Sequence, residues 1–315
     1  MKLSKHHLAI LSIALGTLIW SAASPVFKWS MQDTPPFTIA FFRFLIATLI
    51  MFPFMLRNKK IVIRFEDFYK LFILAITGLT MNIGFYYLGL SLSQSINAPI
   101  IASTIPIFLI FGAILFLHEK PKPKALYGTL VSLIGICIII FRPIHHVSLV
   151  GSILGNIYLL LSVLSLVSYT ILLKKFKLKY HSSTIIFWIF FIASVTFFPA
   201  FIFENHKESI HQVLSFQGSL GILYGAVLSS LLGQVLYNYS VNSLSAGEIG
   251  IFIYLEPVMT ALVAIPLLHE QITFFYLLGS LFVFLGIFIA EVKLHYQIFH
   301  RHLNNVDDSW LESGP

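Results

Sequence analysis

The chain has 315 residues, of which 57% are hydrophobic and only 10% charged, and its formal net charge is +7. An ordinary soluble domain carries about 25% charged residues, so this chain has too few polar residues to cover a soluble fold of its size. Its apolar residues come in runs of roughly 20, the length that crosses about 30 Å of hydrocarbon at 1.5 Å per residue. The composition excludes an ordinary soluble protein and predicts an all-α integral membrane protein.

Ten apolar runs predict ten transmembrane helices. The first run follows Lys2 and Lys5 and contains Ser21-Ala22-Ala23, which are features of a signal peptide. We reject that interpretation because the run stays apolar through Phe27 and has a counterpart later in the chain. In chain order the predicted helices span residues 8–29, 36–56, 69–91, 96–117, 124–141, 151–173, 183–203, 218–240, 248–268 and 273–292.

The basic residues predict how these helices are oriented. With the N-terminus inside, 16 lysines and arginines lie in the inner segments, and only Lys28, Arg142 and Lys207 lie outside. The positive-inside rule then places both termini in the cytoplasm, which we expect to be that of a bacterium with this protein in its inner membrane. The polar residues 296–315 are predicted to form a cytoplasmic tail. The basic charge is explained by topology, so no nucleic-acid partner is predicted.

The two halves of the chain are similar in sequence. Leu-His-Glu occurs at 117–119 and again at 268–270, 151 residues later, and Pro106 pairs with Pro257 at the same separation. Further pairs at separations of 151, 149 or 146 are Gly128 with Gly279, Gly135 with Gly286, Gly84 with Gly233, and Lys28 with Lys174. Each half holds five helices, an odd number, so the second half enters the membrane from the opposite side. We therefore predict two inverted five-helix repeats, at 1–146 and 147–295, around a central cavity.

Several short motifs are shared with a known family. They are Trp20 and Lys28, Pro35-Pro36-Phe37, Arg43-Phe44, Pro106, His118-Glu119, Leu255–Val258 and His269-Glu270. With the five-plus-five duplication, the chain resembles the drug/metabolite transporter superfamily, specifically the ten-helix EamA-type exporters, over about residues 8–292. The resemblance implies alternating access and export of amino acids or related metabolites. Leu166 and Ile189 stand where the first half has Trp20 and Arg43, so the halves are not functionally equivalent.

Two ionisable residues lie deep within predicted helices, where a charge costs at least ~2.5–3.5 kcal/mol. Arg43 is either a structural or snorkelling residue or a ligand for a carboxylate, which a guanidinium binds bidentately. Glu256, just before Pro257, is either a proton or substrate site or a structural hydrogen-bonding group. One hypothesis is that the two face each other across the cavity, each neutralising the other's charge.

Other polar residues are weaker candidates for the site. Asn82 with Tyr86 and Gln234 with Asn238 are i,i+4 pairs that line the cavity or bond to neighbouring helices. Trp20 is either a cavity residue or plain core, and Tyr254 is a further candidate beside Glu256.

Residues near the helix ends and breaks have mostly structural interpretations. We predict that Lys28 and Lys174 snorkel to the surface, and that Glu119 and Glu270 are solvated or cap helix ends. Pro106 and Pro257 each remove a helical hydrogen bond and are candidate hinges. The glycine pairs and the single cysteine, Cys137, are predicted to be packing residues.

The leading functional prediction is a secondary transporter for a small polar metabolite, with the proton as a candidate coupling ion. The alternative is a membrane-embedded enzyme acting on a lipid or lipid-linked substrate, and a third possibility is an assembly or sensor component. Neither a P-loop nor GxSxG nor a cysteine pair is present, so we predict no catalytic residue, metal or cofactor. The expected assembly is a monomer or homodimer in a lipid bilayer.

Overall fold

The computed structural model describes residues 5–56, 63–117, 123–141, 149–176, 178, 180–205, 215–241, 243–244 and 246–289. Within these ranges all regular secondary structure is helical. Six helices are long and apolar enough to cross a membrane, and four shorter apolar helices bring the total in this part of the chain to ten. The prediction of an all-α membrane protein with ten spans is confirmed.

The helices are numbered α1 to α10 in chain order. Two of them, α3 and α8, each contain a wider π-helical stretch, and α4 consists of two pieces. The bounds are α1 Lys5–Ser30, α2 Pro36–Leu56, α3 Phe65–Ala75, Ile76–Met81 (π) and Asn82–Leu92, α4 Asn97–Ala102 and Ile105–Leu117, α5 Pro123–Ile140, α6 Leu149–Phe176, α7 Ser182–Glu204, α8 Phe216–Leu223, Tyr224–Leu232 (π) and Gly233–Val241, α9 Ala246–Leu268 and α10 Phe274–Ile289. The predicted boundary at 146/147 and the predicted tail, 296–315, lie outside the described residues.

The two halves are interlaced rather than side by side. The first helix of each half packs mainly against the third and fourth helices of the other half. We call α1, α8 and α9 the α1 bundle, and α3, α4 and α6 the α6 bundle. The second helices, α2 and α7, pack extensively together between the bundles, with the Phe41 and Phe201 rings stacked 4.8 Å apart.

Contacts at the helix ends show that the repeats are inverted. Asn156, early in α6, bonds to Asn97 at the start of α4, and Phe176 at the end of α6 contacts Tyr69 at the start of α3. The start of α6 therefore lies at the membrane face where α1 ends, beside Lys28. We call this the Lys28 face, and the opposite one, where α1 begins at Lys5, the N-terminal face.

The glycines predicted to be packing residues bring α5 and α10 together. A methyl group at Gly135 would lie 2.5 Å from the Gly279 carbonyl oxygen, so only glycine allows this approach. Gly286 is equally close to the Gly128 carbonyl, and this interpretation of the glycines is confirmed. The prediction for Cys137 was wrong: it is exposed on α5, because it points away from α10 and the core.

The π-helical stretches occupy equivalent places in the two repeats. Ile76–Met81 in α3, shifted by the 149-residue separation that pairs Gly84 with Gly233, falls within Tyr224–Leu232 in α8. In a π-helix the backbone bonds run from i to i+5, and such wide turns are frequent at functional sites. Each repeat thus has a widened turn in its third helix, near the middle of the membrane.

The two predicted hinge prolines have different local structures. Pro106 lies just after a break in α4 at residues 103–104, where it cannot donate the backbone bond that would continue the helix. Pro257 lies inside α9, which continues through it as a helix. Their role in movement stays a prediction.

Candidate functional site

Arg43 is held in the interior by α2, with 7% of its surface exposed. Its Nη1 donates to the Tyr87 hydroxyl at 3.1 Å, its Nε to Ser230 Oγ at 3.1 Å, and its Nη2 to Ser229 Oγ at 3.5 Å. The guanidinium also lies over the Phe27 ring, 5.0 Å from its centroid. All these partners are neutral, so none of them offsets the positive charge of Arg43, and the side chain is buried rather than snorkelling to a surface.

The π-helical stretch of α8 explains how Arg43 fits. Adjacent residues of an α-helix point about 100° apart, and the wider turn here lets both Ser229 and Ser230 reach the same guanidinium. Gly225, at the start of the stretch, leaves space for the arginine, because a methyl group there would lie 2.8 Å from Arg43 Cδ. Gly225 therefore serves the site as well as the packing.

Trp20 also contacts this stretch. Its Nε1 donates to the Ser229 carbonyl oxygen at 3.2 Å, and its ring lies 5.3 Å from that of Tyr237. A methyl group at Gly233 would lie 2.7 Å from Trp20 Nε1, so glycine is required here too. Trp20 is thus a hydrogen-bonded contact between α1 and α8 rather than plain apolar core.

Glu256 is positioned by a contact between α9 and α1. Pro25 in α1 has no N–H to donate to the Ser21 carbonyl, and Thr260 Oγ1 donates to that carbonyl instead, at 2.8 Å. Glu256 lies one helical turn before Thr260, so it is on the same side of α9, toward α1. Its side chain is partly accessible, and among the described residues it has neither a hydrogen-bond partner nor an ion-pair partner.

Tyr86 lies near both charged residues. Its hydroxyl lies near the Ser24 side chain on α1, and it is within electrostatic range of both Glu256 and Arg43. Its ring lies 5.9 Å from that of Tyr87, which bonds to Arg43. Among the described residues Arg43 and Glu256 do not form the hypothesised ion pair. Instead, Tyr87 contacts the arginine, and Tyr86 lies beside Tyr87 and near Glu256.

The remaining predicted residues divide into two groups. Asn82 Nδ2 donates to both the carbonyl and the hydroxyl of Ser162 on α6, at 2.9 Å each, so it bonds to a neighbouring helix. Gln234 and Asn238 are exposed on α8, and Gln234 Nε2 donates to Asn238 Oδ1 at 3.1 Å. The side chain of Tyr254 lies outside the described part of the chain.

Lys28 and Glu270 form a contact that the sequence interpretation did not predict. Lys28 was predicted to snorkel, but its Nζ bonds to the Ser93 carbonyl and lies 3.0 Å from Glu270 Oε1. Glu270 was predicted to be solvated or to cap a helix end. It is not solvated, since it is only 8% exposed, but it accepts bonds from the backbone N–H groups of Ser95 and Ile96 and so caps the start of α4. The reason is tertiary: α1, α4 and the segment after α9 meet at the Lys28 face. Glu119 and the Lys174 side chain lie outside the described residues.

Ten apolar helices in two interlaced inverted repeats, with charged and hydroxyl side chains buried between the bundles, define a multi-pass membrane protein of the transporter class. The family model described as the EamA-like transporter family matches the chain twice, over residues 7–141 and 153–291. The chain belongs to this family, and the resemblance noted from the sequence is confirmed.

Similar proteins extend over nearly the whole chain. A protein of Archaeoglobus fulgidus described as an uncharacterized transporter is 24% identical over 93% of this chain and 99% of its own length. The Bacillus subtilis protein YcxC, also described as an uncharacterized transporter, is 26% identical over 85% of this chain and 87% of its own. A crystal structure with 15% identity superposes with a TM-score of 0.60 over 92% of this chain and 97% of that one. At that identity it supports the fold alone.

Proposed function

We propose that this membrane transporter is a secondary transporter that moves a small polar metabolite, an amino acid or related compound, by alternating access between the α1 bundle and the α6 bundle. The observation that carries the proposal is that the carboxylate of Glu256, which has no partner among the described residues, and the buried guanidinium of Arg43 both lie near Tyr86 without pairing with each other. Opposite charges held apart in this way suit a substrate with both an ammonium and a carboxylate group.

Arg43 has the capacity to bind a carboxylate without losing its present contacts. A guanidinium carries five N–H donors, and three are used by Tyr87, Ser229 and Ser230. Glu256 offers the complementary acceptor for an ammonium group. A charge without a partner in a low-dielectric setting is costly, so binding a cation there is favourable.

The same carboxylate is the candidate for proton coupling. Glu256 can be neutralised by an ammonium group or by a proton, and the two would compete for it. Such competition links proton movement in one direction to substrate movement in the other. Export is the direction that we propose, with both termini in the cytoplasm of a bacterial cell, on the strength of the lysine and arginine distribution.

Ligand-induced stabilisation of the purified protein tests this function with a panel of zwitterionic and singly charged metabolites. We expect amino acids or related compounds to raise the melting temperature, because a ligand at about 100 times its Kd stabilises the folded state by about 2.7 kcal/mol. Glu256→Gln should remove the shift, whereas Glu66→Gln, at an exposed carboxylate on α3, should retain it. The proposal is wrong if zwitterions give no shift, or if Glu256→Gln gives the same shift as the parent protein.

A further inference from the structure

The carboxylate of Glu270 is held by two neighbouring segments at the Lys28 face. Its Oε1 accepts from the Ser95 backbone N–H at 2.7 Å, and its Oε2 accepts from the Ile96 N–H at 3.1 Å and from Ser95 Oγ at 3.0 Å. Lys28 lies 3.0 Å from Oε1 and supplies the opposite charge. Every strong acceptor direction of the carboxylate is therefore occupied by a donor of this chain.

These contacts connect the two bundles. Lys28 on α1 and Glu270 after α9 belong to the α1 bundle, whereas Ser93, Ser95 and Ile96 precede α4 in the α6 bundle. The ion pair itself thus lies within one bundle. The bonds from Glu270 to Ser95 and Ile96, and the bond from Lys28 to the Ser93 carbonyl, cross from one bundle to the other.

Both sides of this contact are rigidly supported. On the α6 bundle, Ser93 Oγ donates to Asn156 Oδ1 at 2.5 Å, and Asn97 Nδ2 donates to the same oxygen at 3.0 Å. On the α1 bundle, Glu270 follows His269, whose φ of 53° is the one positive φ of a non-glycine residue in the described part of the chain. This left-handed turn ends α9 and directs Glu270 inward. A non-glycine residue in this conformation carries a conformational cost, which the surrounding contacts must offset.

We propose that Lys28 and Glu270 are gate residues that close the Lys28 face when the pathway is open to the opposite side. When this face opens, the bonds that cross between the bundles exchange for water, and Lys28 stays with Glu270 to neutralise it. Charged groups suit this role, because water replaces their hydrogen bonds. The inference rests on the proposed alternating access and names the contact that must break in each cycle.

A cysteine reporter one helical turn below Lys28 tests the gate. Ser24, buried on the same side of α1 and near Tyr86, is replaced by cysteine in a Cys137→Ser background. A membrane-impermeant maleimide is applied to each membrane face in turn, and modification of position 24 is measured by mass spectrometry. With the native pair we expect fast labelling from the N-terminal face and slow labelling from the Lys28 face.

Glu270→Gln and Lys28→Gln should each raise the labelling rate from the Lys28 face by about tenfold, the equilibrium change expected for losing one hydrogen bond to a charged group. Lys70→Gln is the matched control, because it removes a 2.7 Å ion pair with Asp67 that lies within α3 at the N-terminal face. It should leave labelling from the Lys28 face unchanged. In a Ser95→Cys/Glu270→Cys variant, oxidation to the disulfide should abolish labelling of position 24 from the Lys28 face until the disulfide is reduced. This second test does not depend on the stability of the two glutamine variants.

The outcomes separate the gate from the transport function. Unchanged labelling from the Lys28 face in both glutamine variants and in the oxidised pair, with normal labelling from the other face, overturns the gate but leaves alternating access intact. Failure to label position 24 from either face in any variant overturns alternating access and the gate with it.

Discussion

Tyr87→Phe tests how the buried positive charge of Arg43 is stabilised in the interior. The substitution removes one oxygen atom and keeps the shape of a fully buried ring, but it leaves Arg43 Nη1 without the acceptor that now lies 3.1 Å away. A hydrogen bond to a charged group contributes about 1.5–3 kcal/mol. We therefore expect the free energy of unfolding to fall by about 1.5–3 kcal/mol in detergent-denaturation measurements on the purified protein.

Repeating Tyr87→Phe in an Arg43→Met variant shows how much of its effect on stability depends on the arginine. In Arg43→Met the tyrosine hydroxyl has lost its donor, so Tyr87→Phe should cost little there, and the coupling energy should approach the full effect. Tyr158→Phe, on a half-buried ring stacked 6.1 Å from Phe85, should change stability by less than about 0.5 kcal/mol. If Tyr87→Phe costs the same in both backgrounds, the hydroxyl does not support the charge and our account of Arg43 fails.

Two further predictions concern topology and packing. Reporter fusions after residues 60, 122 and 178 should be cytoplasmic and those after 33, 146 and 207 periplasmic; a periplasmic signal at 178 would contradict the inverted arrangement. Gly135→Leu should separate α5 from α10, because the first added carbon would already lie 2.5 Å from the Gly279 carbonyl oxygen. Overpacking of this kind costs about 1–3 kcal/mol, which a thermal melt would detect, whereas Ile134→Leu on the exposed side of α5 should melt like the parent protein.

Hydropathy predicted the helices well because the requirement for an apolar span is local to each segment. The same logic identified Arg43 and Glu256, since a charge within such a span is too costly to be retained without a role. Their partners were not predictable in this way. Whether a buried arginine meets a glutamate or a tyrosine is decided by which helices are neighbours, and neither helix sequence contains that information.

The contact between Lys28 and Glu270 joins residues 242 positions apart, and each lies near the end of its helix, where solvation is the usual outcome. One signal was present in the sequence. The recurrence of Leu-His-Glu in both halves placed Glu270 in a repeated motif, which favours a specific contact over chance exposure. The π-helical stretches had no such signal, because their wide turns depend on the packing of α8 against α1 and of α3 against α6.

The interlacing of the two halves has a consequence for biosynthesis. The main packing partners of α1 are α8 and α9, and α9 begins at Ala246, more than 200 residues after α1 ends at Ser30. At a synthesis rate of about 5–20 residues per second, α1 is in the membrane for roughly 10–40 s before α9 has been synthesised. During that time Lys28 lacks its ion-pair partner Glu270, which follows it by 242 residues. The first helix of each half packs against the other half. We therefore expect the two halves, expressed as separate polypeptides, to be stable only when they are co-expressed.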